Sequence, residues 1–438
     1  MPVRVIGGGL AGPEAAWQLA QRGLQVELWE MRPRVSTPAH QTAALGELVC
    51  SNSLKSEAPN SAPWLLKQEL RRAGSLLLAC ADQAAVPGGQ ALAVDRERFS
   101  AAIERALAAH PRIRIRRQEA TALPPDPITV LAAGPLCSGP LAQALARLTG
   151  QSHLYFYDAI SPIVEAESIA RERAYSGSRY GKGGDQDYLN CPLDRLEFER
   201  FYRALAAAPS YPLRAFEEPR FFEACLPLEE LARRGPETLR FGPMKPVGLP
   251  DPRTGREPYA VVQLRRENLR ADSYNLVGFQ NHLRFGTQAE VLRLVPALER
   301  ARFLRFGQVH RNSYLLAPAV LDGGLRLRAQ PSLFVAGQLC GTEGYVEAIA
   351  TGLLAGRFAA AAAAGEPLQP PPRATALGSL LHYITRSPLQ HYAPANITLD
   401  LLPALPAPVR DRAARHQQQC SAALAAAESW LVAEEVPA

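Results

Sequence analysis

The run Val3–Glu30, "VRVIGGGLAGPEAAWQLAQRGLQVELWE", decides the fold. Four mostly apolar residues predict a buried strand, the glycines a tight turn, and the next stretch a helix ending at Gly23. A second apolar strand then ends at Glu30, which makes a βαβ unit and an α/β Rossmann fold. Gly7, Gly9 and Gly12 fit G-x-G-x-x-G: the first permits the turn, the second lets backbone approach a pyrophosphate, the third lets helix and strand pack closely. The helix would aim its first N–H groups at the phosphates, and Pro13 lacks a donor that would be spare there. Glu30 lies 18 residues after Gly12, where an acidic side chain accepts from a ribose hydroxyl. Gly7, Gly8, Gly9, Leu10, Ala11 and Gly12 are therefore the expected pyrophosphate turn.

Two later stretches choose FAD over NAD. "ITVLAAGP" (Ile128–Pro135) and "SLFVAGQ" (Ser332–Gln338) are buried strands ending in small-residue turns at Gly134 and Gly337. Both resemble the return segments by which glutathione-reductase-like flavoproteins close their FAD domain, and "AVDRERFSAAIERAL" resembles the D-R-x-x-F helix of the hydroxylase branch. A second glycine fingerprint for a separate NAD(P)H domain is absent from the sequence. The nucleotide domain is thus expected to be discontinuous, 1–150 and 305–365, around an inserted mixed α/β domain, 151–304. A mostly helical C-terminal segment, 366–438, follows the stiff "GEPLQPPPR".

Working outward, 438 residues at 47% hydrophobic and 21% charged suffice for two or three domains and exclude a disordered or fibrous chain. The net charge of +6 is a faint hint of an anionic partner. Of 48 basic residues only four are lysine, at 55, 67, 182 and 245, so arginine abundance reflects composition and each lysine is the less easily explained. Lys67 falls in an ordinary amphipathic helix; the other three fall in loop-like motif blocks. Seven cysteines with no C-x-x-C and no histidine-spaced cluster fit neither a disulfide framework nor a zinc site. We expect no metal, no membrane partner, and a cytoplasmic protein, since the chain opens directly on a strand and shows no long uninterrupted apolar run.

A lone cysteine is ordinarily a small buried hydrophobe, and Cys80, Cys137 and Cys420 are read so. Cys191 and Cys340 sit in suggestive motifs, but their thiols read as incidental. Cys50 lies among Ser51, Asn52, Ser53 and Lys55 in a stretch that in this fold runs toward the flavin. Cys225 precedes Pro227 and a helix, with Arg233 and Arg234 nearby to favour thiolate. Arg179, Tyr180 and Lys182, Lys245, and His310, Arg311, Asn312 and Tyr314 mix cations, aromatics and glycines in a way that suits an anionic substrate with planar rings.

The blocks "GGGLAGPEAA", "LVCSNSLKS", "LYFYDAISPIV", "SRYGKGG", "CLPLEELARRGPETLRFGPMKPVGL", "PYAVVQLRRENL", "YNLVGFQNHL", "VHRNSYL", "GYVEAIATGLLAG" and "TALGSLLHYIT" together resemble the TrmFO family of folate- and FAD-dependent tRNA (uracil-5-)-methyltransferases, over about residues 3–405. The related GidA/MnmG wobble-uridine modifiers share the flavin domain but are longer and lack the Cys225 block. The resemblance implies methylation of C5 of the T-loop uridine (position 54) of tRNA. The carbon donor would be 5,10-methylenetetrahydrofolate, with FAD as cofactor and NAD(P)H as reductant. It casts Cys225 as the C6 nucleophile and Cys50 as its acid–base partner, roles that could be exchanged. Tyr345 would stack on flavin or folate, and Lys55, Lys182 and Lys245, with Arg179, His310, Arg311 and Asn312, would contact substrate. Cys340 and Thr342 stand where small or apolar residues are expected. The rival readings are a small-molecule flavin oxidoreductase, a GidA-like wobble-uridine enzyme, and an RNA-binding protein with a structural flavin.

Overall fold

A computed structural model of the chain describes residues 1–150, 154–184, 186–211 and 226–435. The opening run forms β1 (Val3–Ile6), α1 (Ala11–Gln21) and β2 (Val26–Glu30). β1 and β2 pair in parallel, Val3 opposite Val26 through Ile6 opposite Trp29; such pairing needs a crossover, which α1 supplies. The helix stops two residues before Gly23, whose φ of +83° turns the chain back to β2.

Beyond β2 the chain builds a small excursion before rejoining the sheet. It comprises β3 (Ser53–Ser56), α2 (Ala62–Arg72), β4 (Ala91–Val94) and α3 (Arg96–Ala109). Ser61 caps α2 by accepting from Trp64 N–H, and Asp95 caps α3 by accepting from Arg98 N–H. The chain returns as β5 (Ile113–Arg117) and β6 (Thr129–Leu131). After α3 and β6 come β7 (Leu154–Ala159), then β8 (Ile163–Glu165), β9 (Tyr188–Leu193), α4 (Arg195–Ala207), β10 (Ala260–Arg266) and β11 (Ser273–Leu276). The last stretch holds β12 (Val309–Tyr314), β13 (Gln330–Val335), α5 (Tyr345–Ala364), α6 (Ala376–Arg386) and α7 (Arg412–Glu435).

Among the described residues the larger sheets are two, each six-stranded. The first runs Arg326–Leu327, β13, β6, β1, β2, β5, parallel from β13 onward, and is the Rossmann sheet. The second runs Tyr175–Ser176, β9, β10, β11, β8, Phe303–Arg305, antiparallel throughout. The β7–β12 ribbon, Leu154 opposite Tyr314 through Ala159 opposite Val309, carries the chain between them. Each sheet has its own core, centred on Val5, Leu28, Val130 and Phe334 in one case and on Cys191, Phe201, Leu264 and Phe279 in the other.

The contact between α5 and α1 matters most for the site. A Cβ on Gly352 or Gly356 would collide with the backbone of Ala11 or Ala15, so the helices meet main chain to main chain. That packing brings the first turn of α5, with Tyr345, beside the glycine turn. Helix α5 is long and apolar enough to cross a membrane by composition, and its burial in the core accounts for that apolarity. The C-terminal helices pack on the same unit: both oxygens of Glu69 in α2 accept from the first N–H groups of α6, Ala376 at 2.7 Å and Leu377 at 2.8 Å.

Candidate functional site

A cavity of about 400 Å³ opens along the carboxyl ends of β1, β2, β6 and β13, the position at which α/β sheets bind ligands. One end is the glycine turn. Gly7 has φ +112° and no room for a Cβ against Ala132, and a Cβ on Gly12 would collide with the Gly7 carbonyl. At Gly9 nothing lies within 4 Å of where a Cβ would stand, and the same holds at Gly134. Gly7 and Gly12 are thus glycine for packing, whereas Gly9 and Gly134 leave bare backbone facing open space. Gly8, Leu10, Ala11 and Gly337 also line the cavity.

Glu30 ends β2 as a buried carboxylate. One oxygen accepts from Gly8 N–H at 2.7 Å, and the other from Arg32 N–H at 2.9 Å and Arg32 Nε at 2.8 Å. Burial pushes its carboxyl up, but the Arg32 and Gly8 bonds outweigh that and hold it below the usual range. His40, on the same wall, is held down at about 4 by burial and by the Arg32 charge, and so is neutral at pH 7. A bare glycine turn at a helix N-terminus, with an ionised carboxylate at the end of the second strand, fits the pyrophosphate and ribose of a dinucleotide.

A further part of the lining comes from the segment Leu48–Ser56. Leu45, Leu48 and Leu54 are fully buried and pull the segment onto the core, which leaves Cys50, Ser51, Ser53 and Lys55 on the cavity side. The Tyr345 hydroxyl accepts from the N–H groups of Cys50 at 2.7 Å and Ser51 at 3.3 Å; burial, and next the neighbouring Cys50, pushes its pKa up. Tyr345 lines the cavity, but its hydroxyl is committed to the Cys50 turn. Arg96, first residue of α3, donates to the carbonyls of Leu48 and Cys50 and pairs with Glu267 at 2.5 Å. Asn52 has no exposed surface: its amide donates to Val94 O at 3.1 Å and Arg266 O at 2.8 Å and accepts from Arg265 Nε at 2.9 Å. The end of β10 therefore grips the Cys50 segment across the two sheets.

Lys55 projects to the first turn of α5, 2.6 Å from Glu347 Oε1, with Asn396 Oδ1 also in contact. Asn312, 4% exposed, completes this side. Lys67 departs from its expectation: instead of an ordinary position on an amphipathic helix, it is wholly buried and bound to three carbonyls of β3. Its spacing reads as amphipathic because a lysine counts as polar, while the surface it covers is main chain.

The remaining cations gather elsewhere. Arg179 donates to the carbonyls of Val247 and, at 2.9 Å, Lys245, and to Gln263 Oε1 at 3.3 Å, so it ties two loops of the second sheet together. Lys182 is exposed and Lys245 half-buried; neither ammonium has a hydrogen-bond or ion-pair partner among the described residues, and neither lines the cavity. Cys225 lies outside the described residues. His310 and Arg311 are on β12, opposite Asp158 and Tyr157, and their side chains lie outside the described set. Burial pushes the thiols of Cys80, Cys137 and Cys420 up to about 11 and those of Cys191 and Cys340 to about 12. Cys137 nonetheless lines the cavity. Cys340 Sγ and the Thr342 hydroxyl both contact the Gly337 carbonyl, which is what these two unexpected residues do. No group of metal-binding side chains occurs among the described residues.

Arg96, Asn52, Arg265, Glu267 and Asn396 were missed as site residues. The signal for Asn52 was its place inside the Cys50 block, whereas Arg265 and Asn396 meet the site only through the tertiary fold.

Comparison with known proteins agrees with this geometry. The profile of the family described as "Glucose inhibited division protein A" matches residues 2–367. The chain is 57% identical over 441 residues to the methylenetetrahydrofolate–tRNA-(uracil-5-)-methyltransferase TrmFO of Koribacter versatilis, covering 100% of this chain and 99% of that one. It is 59% identical to the protein of the same name from Solibacter usitatus, with 98% of each covered. The crystal structure of Aquifex aeolicus GidA superposes with a TM-score of 0.69 at 16% identity, over 98% of this chain and 73% of that one, and so shares the fold. On a glycine turn, a carboxylate-ended second strand and a cysteine-bearing wall, and with relatives of this likeness over the whole length, the chain belongs to the TrmFO family of methyltransferases within the GidA group.

Proposed function

We propose that the protein methylates C5 of the T-loop uridine (position 54) of tRNA. FAD would lie in the cavity, methylenetetrahydrofolate would give the carbon, and NAD(P)H would be the reductant. The observation that carries this reading is that Cys50 lines the same cavity as the glycine turn, its backbone held by Tyr345 and Arg96. A half-buried thiol lining a nucleotide pocket fits a reaction in which uracil is activated covalently.

Uracil C5 becomes nucleophilic enough to take a one-carbon unit only after a thiolate adds at C6. Cys225 is cast as that nucleophile and Cys50 as the group that takes the C5 proton once the carbon is in place. Loss of that proton and departure of the tetrahydrofolate amine would leave an exocyclic methylene on C5; FAD held in the cavity and reduced by NAD(P)H would supply the hydride that turns it into methyl, and the C6–sulfur bond to Cys225 would then break to release the thiolate. Gly7, Gly8, Gly9, Leu10, Ala11 and Gly12 would hold the pyrophosphate end, with Glu30 at the ribose and Gly134, Gly337 and Tyr345 around the ring. Lys55 and Asn312 line the same cavity and are cast, with His310 and Arg311, toward folate or uracil. Lys182 and Lys245, on loops that Arg179 joins, are cast toward tRNA phosphates.

The test incubates purified, flavin-loaded protein with a uridine-bearing tRNA transcript, methylenetetrahydrofolate and NADPH. Ribothymidine is expected. Flavin-loaded protein that forms none overturns the reading, and full activity in Cys50→Ala or Cys225→Ala overturns the roles given to the thiols.

A further inference from the structure

Lys67 is buried without any exposed surface, in the middle of α2, where burial pushes its pKa down and the neighbouring Glu57 opposes that shift. Its ammonium donates to the main-chain oxygens of Leu54 at 2.9 Å, Lys55 at 3.1 Å and Ser56 at 2.9 Å, and pairs with Glu57 at 3.1 Å. Three donors meeting three carbonyls is what allows an ammonium to be buried.

Three consecutive carbonyls do not normally converge. In an extended strand they point alternately to opposite edges. Here they turn to one side because Lys55 has φ +62°, in the left-handed region, and β3 pairs with β4 through a register shift between Ser53 and Ser56. That conformation is unfavourable for any residue with a Cβ, so something must hold it. The same twist sends the Lys55 side chain away from Lys67 to the cavity wall, where it meets Glu347, Asn396 and, at 3.4 Å, the Glu343 carbonyl. It lies so close over Gly344 that a Cβ there would strike it. Glu347 is fully buried, and the Lys55 ammonium is its charge partner.

We propose that Lys67 is a positioning residue for the cofactor cavity: by gathering the carbonyls of Leu54, Lys55 and Ser56 it holds Lys55 in the left-handed conformation and fixes the Lys55 ammonium on the cavity wall beside the first turn of α5. Lys67 reaches no ligand itself. The inference rests on the reading of the cavity as the FAD site. An arginine cannot substitute, because a planar fork does not serve three carbonyls grouped about one point.

The test uses full-length Lys67→Met, Lys55→Met and the double variant, reconstituted with FAD. FAD affinity is read by quenching of flavin fluorescence, with the flavin absorption spectrum and the thermal midpoint read alongside. If Lys67 acts through Lys55, each single variant weakens FAD binding by about tenfold, because the charge-assisted Lys55–Glu347 contact that fixes this wall is lost. The double variant is then no weaker than the worse single, and all three share one altered flavin spectrum. A lowered thermal midpoint in Lys67→Met with wild-type FAD affinity and spectrum overturns the proposal, as does a double variant whose losses multiply. Should Lys67→Met give no folded protein, Lys55→Met decides: wild-type affinity and spectrum overturn the proposal, and a tenfold loss sustains it. Wild-type protein that binds no FAD would instead sink the reading of the cavity, a result distinct from variants that bind FAD as well as wild type.

Discussion

The Leu48–Ser56 segment and the paired loops at Arg179–Lys182 and Lys245–Gly248 look alike in sequence, each mixing small residues with a scarce lysine, and the structure uses them in opposite ways. In the first, donors and acceptors are consumed internally. Tyr345 takes the N–H groups at 50 and 51, Arg96 the carbonyls at 48 and 50, Arg265 and β10 the side chain at 52, and Lys67 the carbonyls at 54 to 56. In the second, a single guanidinium, that of Arg179, is spent on holding the loops, and the ammoniums of Lys182 and Lys245 are left without partners among the described residues. A cofactor wall has to be rigid before its ligand arrives. A surface for a polyanion works best with charges still uncommitted.

If that contrast is right, breaking the wall is the costliest change. Asn52→Ala strips partners from Arg265 Nε and the Val94 carbonyl, both buried, and from the half-buried Arg266 carbonyl. Leaving such groups unpaired is expected to cost about 3 kcal/mol of stability, measured by urea denaturation of the flavin-loaded protein. A loss under about 1 kcal/mol would mean that the wall is not clamped as described. Arg179→Ala comes next. It frees two loop carbonyls near the surface, where water replaces the lost donors, so about 1 kcal/mol is expected, together with faster proteolysis within residues 178–184. Unchanged proteolysis would show that the loops do not depend on this guanidinium.

The buried side should also titrate. Burial pushes the Glu69 carboxyl from an ordinary 4.5 up to about 8, despite the N–H groups of Leu377 and Ala376 that favour its charge. The folded protein then binds more protons than the unfolded chain between those values. Stability from this group is full below about pH 4.5 and is lost as pH rises toward 8. His40 acts on the acid side: held at about 4 against an ordinary 6.5, it lowers stability as pH falls through that window. Glu69→Gln should flatten the fall between pH 5 and 8 in a series of thermal midpoints. An unaltered slope would assign it to another group.

How much of this was readable in advance follows from the range of the interactions. The βαβ unit, the glycine turn and Glu30 are set by residues within 30 positions, and local periodicity and spacing suffice for them. Cys50, Lys55 and Tyr345 were found as members of motif blocks, but what they touch was not. Tyr345 meets Cys50 across 295 residues, and Asn52 meets Arg265 across 213. Lys67 is the clearest failure. Periodicity separates polar from apolar positions, and a lysine that buries its charge against carbonyls is polar by type and internal by place. Only the left-handed turn at Lys55, invisible in composition, creates the carbonyl cluster that makes this possible.

The smallest effect on stability should fall on the uncommitted lysines. Lys182→Ala and Lys245→Ala remove no hydrogen bond or ion pair among the described residues, so each is expected to change stability by no more than about 0.5 kcal/mol. Binding should tell them apart from bystanders. Each phosphate neutralised by a lysine adds roughly one unit to the slope of log affinity against log salt, so each substitution should lower that slope for tRNA by about 1 and weaken binding most at low salt. Lys182→Arg and Lys245→Arg keep the charge and should restore the slope, yet we expect them to lower methylation, because a guanidinium fork does not replace a compact ammonium where position matters. A wild-type slope in both alanine variants would return these lysines to ordinary surface, and the contrast between the two regions would then reduce to a difference in burial.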